Sequence, residues 1–520
     1  MARLNAKARS TIRSKRQTKR LPPSALLMLL GVLVLTMIGT VVIVGPMSSS
    51  ENEYVFSPSQ SKAQAPGKHT VVTVDTAKRT AQAILGQSDS AISSFGSSSS
   101  SSSLSVHLPG DGKPAKVAYA VSLIECTDHH KSGHASVAGL QDASIVLRHS
   151  IHQNSVQNPQ SGSRYDYEMY AIVHEQAKAC APVLEDAGFK ILIRDPPILA
   201  SEIHGDFLRN NIQKEYCCGA HEFVKLYAYQ IPAPLVVHLD IDFIFRKPMD
   251  AVFDVMLGAT DEATRAKVER EDPKDPWPAD VETMITRDYT SAYPGRKAGF
   301  QAGFWVLKPS QKHFDNLLAI IREGNYVAGF EPTNGWGGMG YGGFIGAKAM
   351  QGLMAYYYDI HVPGTWVELN NCRYNAVRAI VTKRGKCLSG RSTCEDCRTT
   401  KIEDIYSIHY TACRKPWSCI ASKADDPTNQ YPRKNSMPVD IVHFDQCMES
   451  RRVWHEYRRD LESKLYDLTK DEGVLRGNAG EYNKEYFLGH CKADQSSWYL
   501  RLGGSPETIK RIPELYQNKS

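Results

Sequence analysis

Residues 234–249 read PLVVHLDIDFIFRKPM. The run 235–239 is a short strand-forming stretch, and it stops at Asp240-Ile241-Asp242. Alternate side chains of an extended chain face the same way, so the two carboxylates point together. At the C-terminal end of a buried strand they occupy the edge at which open α/β sheets bind ligands. Hard carboxylate oxygens there suit Mn²⁺, or Mg²⁺, with phosphate oxygens filling the remaining positions. Such a metal neutralises a diphosphate and stabilises it as a leaving group. An Asp-x-Asp alone also arises on solvated loops; the strand in front of it gives it weight.

Working outward, residues 117–124 (VAYAVSLI) read as a buried strand, 142–149 as a helix, 167–173 as a strand, 176–187 as a helix and 189–193 as a strand. A second strand–helix set covers 300–307 and 313–323. This alternation predicts an α/β domain with a mostly parallel sheet. Residues 448–470, rich in Arg, Glu and Leu at helical spacing, predict a terminal helix packed on that domain.

The rest of the 520-residue chain is appendage. Residues 1–24 carry eight of the 62 basic residues and no acid, which leaves 54 bases against 56 acids elsewhere. The body is near neutral, so its charge gives no ground for nucleic-acid binding. Residues 25–45 are uncharged and apolar, close to the roughly 20 residues that span a bilayer. A cleaved signal peptide has a shorter apolar core, about 7–15 residues, and a presequence would be amphipathic. The basic flank keeps the N-terminus cytosolic and sends the remainder into the lumen, a single-pass type II membrane topology with the Golgi as its expected home. Residues 46–115, with an unbroken serine run at 97–103, have linker composition and read as a disordered stem. Residues 116–425 form the expected catalytic domain and 426–520 a helical extension. Twelve cysteines suit disulfides in an oxidising lumen. The pair Cys394 and Cys397 has zinc-knuckle spacing but no second matching pair. The one N-glycosylation sequon begins at Asn518.

Residues 222–250, EFVKLYAYQIPAPLVVHLDIDFIFRKPMD, resemble the core of glycosyltransferase family 8, which includes glycogenin and the plant glucuronyltransferases related to it. Three further blocks match in the same order. Residues 300–304 (FQAGF) are similar to the family's Phe-Asn-(Ser/Ala)-Gly strand, and 351–354 (QGLM) to its Asp-Gln-Gly-Leu-Leu-Asn segment. Residues 408–417, with His409, Lys415, Pro416 and Trp417, resemble its His-(Phe/Tyr)-x-Gly-x-x-Lys-Pro-Trp block. The likeness spans residues 117–420.

The resemblance implies a GT-A-like nucleotide-diphospho-sugar transferase domain, a UDP-sugar donor, a glycan or glycoprotein acceptor, and retention of anomeric configuration. It implies Asp240, Asp242 and His409 as metal ligands, an imidazole beside two carboxylates favouring Mn²⁺. Lys415 would set its ammonium on the diphosphate. Lys225, Ser122, Gln301 and Gly303 would face the nucleotide sugar, with Gln351 at the catalytic position. Two departures stand out. Gln301 replaces the family's Asn, and Met350 and Ala347 fall where the family has acids, with Glu331 or Lys348 as candidate compensations. The glycine-rich stretch 335–343 (GWGGMGYGG) lacks the Lys-(Ser/Thr) of a P-loop and reads first as plain irregular structure, and second as a mobile loop over the acceptor site. No carboxylate is evident as a nucleophile, which favours a front-face route. Two other readings are a silent nucleotide-sugar-binding or scaffold protein and a self-glycosylating, glycogenin-like primer.

Overall fold

The computed structural model describes residues 114–126, 137–215, 219–292, 296–329, 332–379, 381–383, 385–413, 415–417, 444–479 and 499–517. The basic tail, the apolar segment 25–45, nearly all of the stem, Glu331 and Asn518 lie outside them. Among the described residues no helix is long and apolar enough to cross a membrane.

Nine strands position the site. They are β1 (Lys116–Leu123), β2 (Asp166–His174), β3 (Lys190–Arg194), β4 (Val236–Leu239), β5 (Phe243–Phe245), β6 (Thr283–Arg287), β7 (Phe300–Leu307), β8 (Trp366–Glu368) and β9 (Ser407–His409). Seven form one mixed sheet in the order β8-β6-β7-β4-β1-β2-β3. It is mostly parallel, as the alternation predicts; β7 alone runs against both of its neighbours, β4 and β6. The remaining strands, β5 and β9, make a separate antiparallel pair.

Period-two alternation on β1 splits its side chains between two cores. Val117, Tyr119 and Val121 join one, Ala118 and Ala120 the other. The first core is closed by helices α1 (Val137–Gln153) and α4 (Phe444–Thr469) through Ile145, Leu147, Trp454 and Leu461. The second is closed by a 3-10 helix over Gly219–Gln230 and by α2 (Gln311–Glu323) and α3 (Met350–Tyr356) through Phe223, Leu226, Leu317 and Leu353. A sheet covered on both faces is the condition for mostly parallel pairing.

Local chemistry explains where helix bounds differ from the expected ones. The Ser310 hydroxyl caps α2 by accepting the His313 N–H, and Gly324 ends it in the left-handed region at φ 66°, so it starts two residues before 313. The helix expected over 176–187 is two pieces, a 3-10 turn Glu175–Cys180 and an α-helical turn Ala181–Asp186. Pro182 lacks the N–H that continuation needs and fits the first turn of a new helix.

Among the described residues four disulfides join Cys126–Cys180, Cys372–Cys397, Cys387–Cys394 and Cys413–Cys447. Cys394 and Cys397 belong to different bridges and form no zinc knuckle. Bridges of this number belong to a chain that matures in an oxidising compartment.

Candidate metal centre

The end of β4 delivers Asp240, whose N–H donates to the Gly303 carbonyl of β7 at 2.9 Å. Three residues on, the chain enters β5, and β9 pairs with it in the register His409↔Phe243. That pairing carries a histidine from the far end of the sequence to the residue beside Asp242. It is locked by the Tyr410 N–H, which donates to the Asp242 carbonyl at 2.9 Å, and by stacking of the His409 and Phe243 rings at 4.3 Å. His409 Nε2 lies 3.5 Å from Asp242 Oδ1 and 3.8 Å from Asp240 Oδ2. One ligand atom from each of the three falls within 4.8 Å of the others, a group able to hold a metal ion.

The donor set fits a cation in two further respects. His409 is 1% exposed, and its Nε2 has no hydrogen-bond partner. Its Nδ1 lies 3.0 Å from the Asn375 side-chain oxygen, whose amide nitrogen in turn donates to Thr286 Oγ1 at 2.9 Å. With Nδ1–H donating, Nε2 presents a lone pair to the carboxylates, the tautomer a metal requires. Gly303 supplies the space. A Cβ there would fall 2.6 Å from Asp240 Oδ2 and 2.7 Å from His409 Cε1. The strand is irregular at this point: Ile285 of β6 pairs with Trp305 but Arg287 with Phe300, so β7 advances five residues where β6 advances two. Such bulges re-aim side chains beside active sites. Here Gln301 turns its Oε1 back to accept the Gly303 N–H at 2.6 Å.

Each carboxylate has its own lysine. Lys225 Nζ, on the 3-10 helix, meets Asp240 Oδ1 at 3.1 Å, the Ala302 carbonyl at 3.2 Å and Glu222 at 3.3 Å. Three partners occupy the three donors of an ammonium. Burial works against this charge, but Asp240 and Glu222 outweigh it and hold the Lys225 pKa above its ordinary value. Lys415 donates to Asp242 Oδ2. Burial pushes the Asp242 carboxyl up, yet Lys415 and His409 reverse that and leave it well below the usual carboxylate range.

Ser122, near the end of β1, hydrogen-bonds to His238 Nε2 of β4 at 2.8 Å. Gln351, on α3, donates from Nε2 to Asp288 Oδ2 at 3.3 Å. Asp288 follows the last residue of β6 and also accepts from Thr290 and Ser291. Met350 and Ala347 are buried, and Lys348 is ion-paired with Glu215. The acid beside Gln351 is therefore Asp288, from the turn that follows β6. Asp288, Asn375 and Glu222 have no motif of their own in the sequence. Only Glu222, three residues before Lys225, carries a local signal, the spacing of a helical ion pair.

No protein-family model matches the chain, and no curated protein does. Among solved structures it is similar to mouse xyloside xylosyltransferase 1, at 12% identity over 57% of this chain and 97% of that one, with a TM-score of 0.32. It is similar to the galactosyltransferase LgtC, at 12% identity over 62% and 98%, with a TM-score of 0.31. The same holds for the glycosyltransferase GlyE of Streptococcus pneumoniae TIGR4, at 13% identity over 66% and 60%, with a TM-score of 0.31. Likeness this distant assigns no residue a role.

Proposed function

We propose that the chain is a Mn²⁺-dependent glycosyltransferase moving a hexosyl-type sugar from a UDP-sugar to a glycan or protein acceptor, with retention, from a Golgi or other secretory-pathway membrane. One observation carries this reading: Asp240, Asp242 and an unpartnered His409 Nε2 converge at the C-terminal edge of the sheet.

Asp240, Asp242 and His409 Nε2 would hold Mn²⁺, with Mg²⁺ as the substitute. Bound there, the ion neutralises a diphosphate and stabilises it as a leaving group. Lys225 holds the Asp240 carboxylate in place through its ammonium. Lys415, with its side chain 20% exposed against 8% for Lys225, is the cation able to swing from Asp242 to a diphosphate oxygen. Asp288 is held by donors from Thr290, Ser291 and Gln351, an arrangement that stabilises a nearby positive charge better than it releases a nucleophile. That favours a front-face route, in which the leaving diphosphate takes the acceptor's proton while Asp288 and Gln351 steady the oxocarbenium-like centre. A covalent glycosyl adduct on Asp288 or Gln351, detected by mass spectrometry, would overturn the route.

The test is a UDP-sugar panel with Mn²⁺ and the purified lumenal part, read as released UDP, beside Asp242→Ala. Release by the wild type and near-complete loss in the variant is expected. A second reading, a protein that binds the nucleotide sugar without turnover, is favoured by Met350, a buried apolar side chain where the resembled family has an acid. Binding with no release across the panel would establish it. A mass increase of the protein itself on incubation with donor would instead identify a self-glycosylating primer.

A further inference from the structure

Helix α4 lies far beyond the Asp-x-Asp segment, yet one of its faces holds the loop that follows His409. Positions 447, 450, 451 and 454 share that face by helical spacing. Cys447 is bonded to Cys413. The Ser450 carbonyl accepts the Tyr410 hydroxyl at 2.6 Å. Arg451 donates to the Lys415 carbonyl at 2.7 Å and to the Pro416 carbonyl at 3.3 Å. Trp454 packs on Trp417 with ring centroids 6.0 Å apart. On its other side Trp417 fills the space over Gly139 of α1, where a Cβ would meet the indole at 2.6 Å. Tyr410, Cys413, the Lys415–Pro416 main chain and Trp417 are thus four points of grip, and Lys415 is the residue among them that reaches Asp242.

Arg451 is fully buried, with 0% exposure. A buried guanidinium is costly to desolvate and persists where it satisfies several acceptors in fixed geometry. Here two of those acceptors are consecutive main-chain carbonyls, so the guanidinium sets the direction of the backbone from which the Lys415 side chain departs. Lysine has a long flexible stem, and its ammonium finds a diphosphate reproducibly only if its backbone is fixed.

We infer that Arg451 is a positioning residue for Lys415, and that helix α4 is a working part of the nucleotide-diphosphate site. The inference rests on the reading of Lys415 as a diphosphate contact. It adds that Arg451 acts on the nucleotide through the backbone that carries Lys415.

The experiment is a double-mutant cycle on the full chain, read as UDP affinity in Mn²⁺ by calorimetry, with Mn²⁺ alone titrated in parallel. Arg451→Ala should weaken UDP by about 10–100-fold, the usual effect of removing a residue that orients a ligand. Arg451→Lys, which keeps the charge and loses the fork, should fall between wild type and alanine and covers the case in which the alanine variant does not fold. In a Lys415→Ala background, Arg451→Ala should have little further effect, because the two act as one unit. Mn²⁺ binding without nucleotide should be unchanged in Arg451→Lys. A helix that merely stabilises the fold would give additive losses in UDP affinity, or would weaken Mn²⁺ and UDP alike, and either result overturns the inference. If the wild type binds UDP but Lys415→Ala binds it equally well, both the inference and the diphosphate role of Lys415 fall. If the wild type binds no UDP, the donor reading falls first and the inference with it.

Discussion

His409 Nδ1 lies 3.0 Å from the side-chain oxygen of Asn375, and Asn375 donates its amide nitrogen to Thr286. Three residues from three separate elements therefore decide which nitrogen of one imidazole carries the proton. The arrangement leaves Nε2, the nitrogen facing Asp240 and Asp242, free to bind a cation. Replacing Asn375 with Leu removes the acceptor and frees the ring to take the wrong tautomer. Mn²⁺ affinity by calorimetry should drop about 10–100-fold, with the melting temperature little changed by comparison. Unaltered affinity would mean that the amide does not set the tautomer.

Gly303 leaves no room for a methyl group between the Asp240 carboxylate and the His409 ring. Gly303→Ala should push the two ligands apart and lower Mn²⁺ affinity by at least about tenfold, the scale seen when ligand orientation is disturbed. Far-UV circular dichroism should stay that of the wild type, because Gly303 needs no left-handed backbone and alanine fits an extended strand.

Among the described residues Asp288 hydrogen-bonds to Thr290, Ser291 and Gln351, and to none of Asp240, Asp242 and His409. Asp288→Asn keeps the shape and removes the charge. The turnover number should fall about 100-fold or more, the scale of losing an electrostatic stabiliser of the transition state, while affinity for Mn²⁺ and UDP holds. Loss of UDP affinity with unchanged turnover would move Asp288 from the sugar to the nucleotide.

The half-buried His152 of α1 packs against Tyr167 and Tyr516, and burial, with the charges of His149, Lys464 and Arg148, pushes its pKa down to about 4. An unfolded histidine titrates near 6.5, so between about pH 6.5 and 4 the unfolded chain binds a proton that the folded one refuses. Stability from this group is present above 6.5 and is lost as pH falls through that window. Denaturant melts of His152→Gln should show an acid decline shallower than that of the wild type by roughly 1–2 kcal/mol, the full shift being reduced by solvent screening at a partly exposed ring.

Much of the arrangement of Asp240, Asp242 and His409 is legible in the sequence. The strand before Asp240 and the pleat that aligns it with Asp242 are local properties, and so are the β7 strand and the α2 helix. His409 was reached through the Lys-Pro-Trp that follows it. The tertiary partners were not readable. Asn375 is one asparagine among many until the backbone pairing of Ala376 with Ser407 and His409 of β9 places it behind the imidazole. The β7 irregularity shows only once β6 and β7 are paired, between Trp305 and Phe300. Arg451 reads as an ordinary charged residue of a polar helix, and only packing shows it to be buried. Pro182 was visible in the expected helix 176–187, and its missing N–H was enough to divide it.

The central claim is that Asp240, Asp242 and His409 share one cation against a diphosphate. A crystal grown with Mn²⁺ and UDP, with diffraction recorded at the manganese edge, tests it directly. One anomalous peak is expected within bonding distance of all three side chains and of the UDP phosphates. A peak elsewhere, or UDP bound with no metal at those residues, contradicts it.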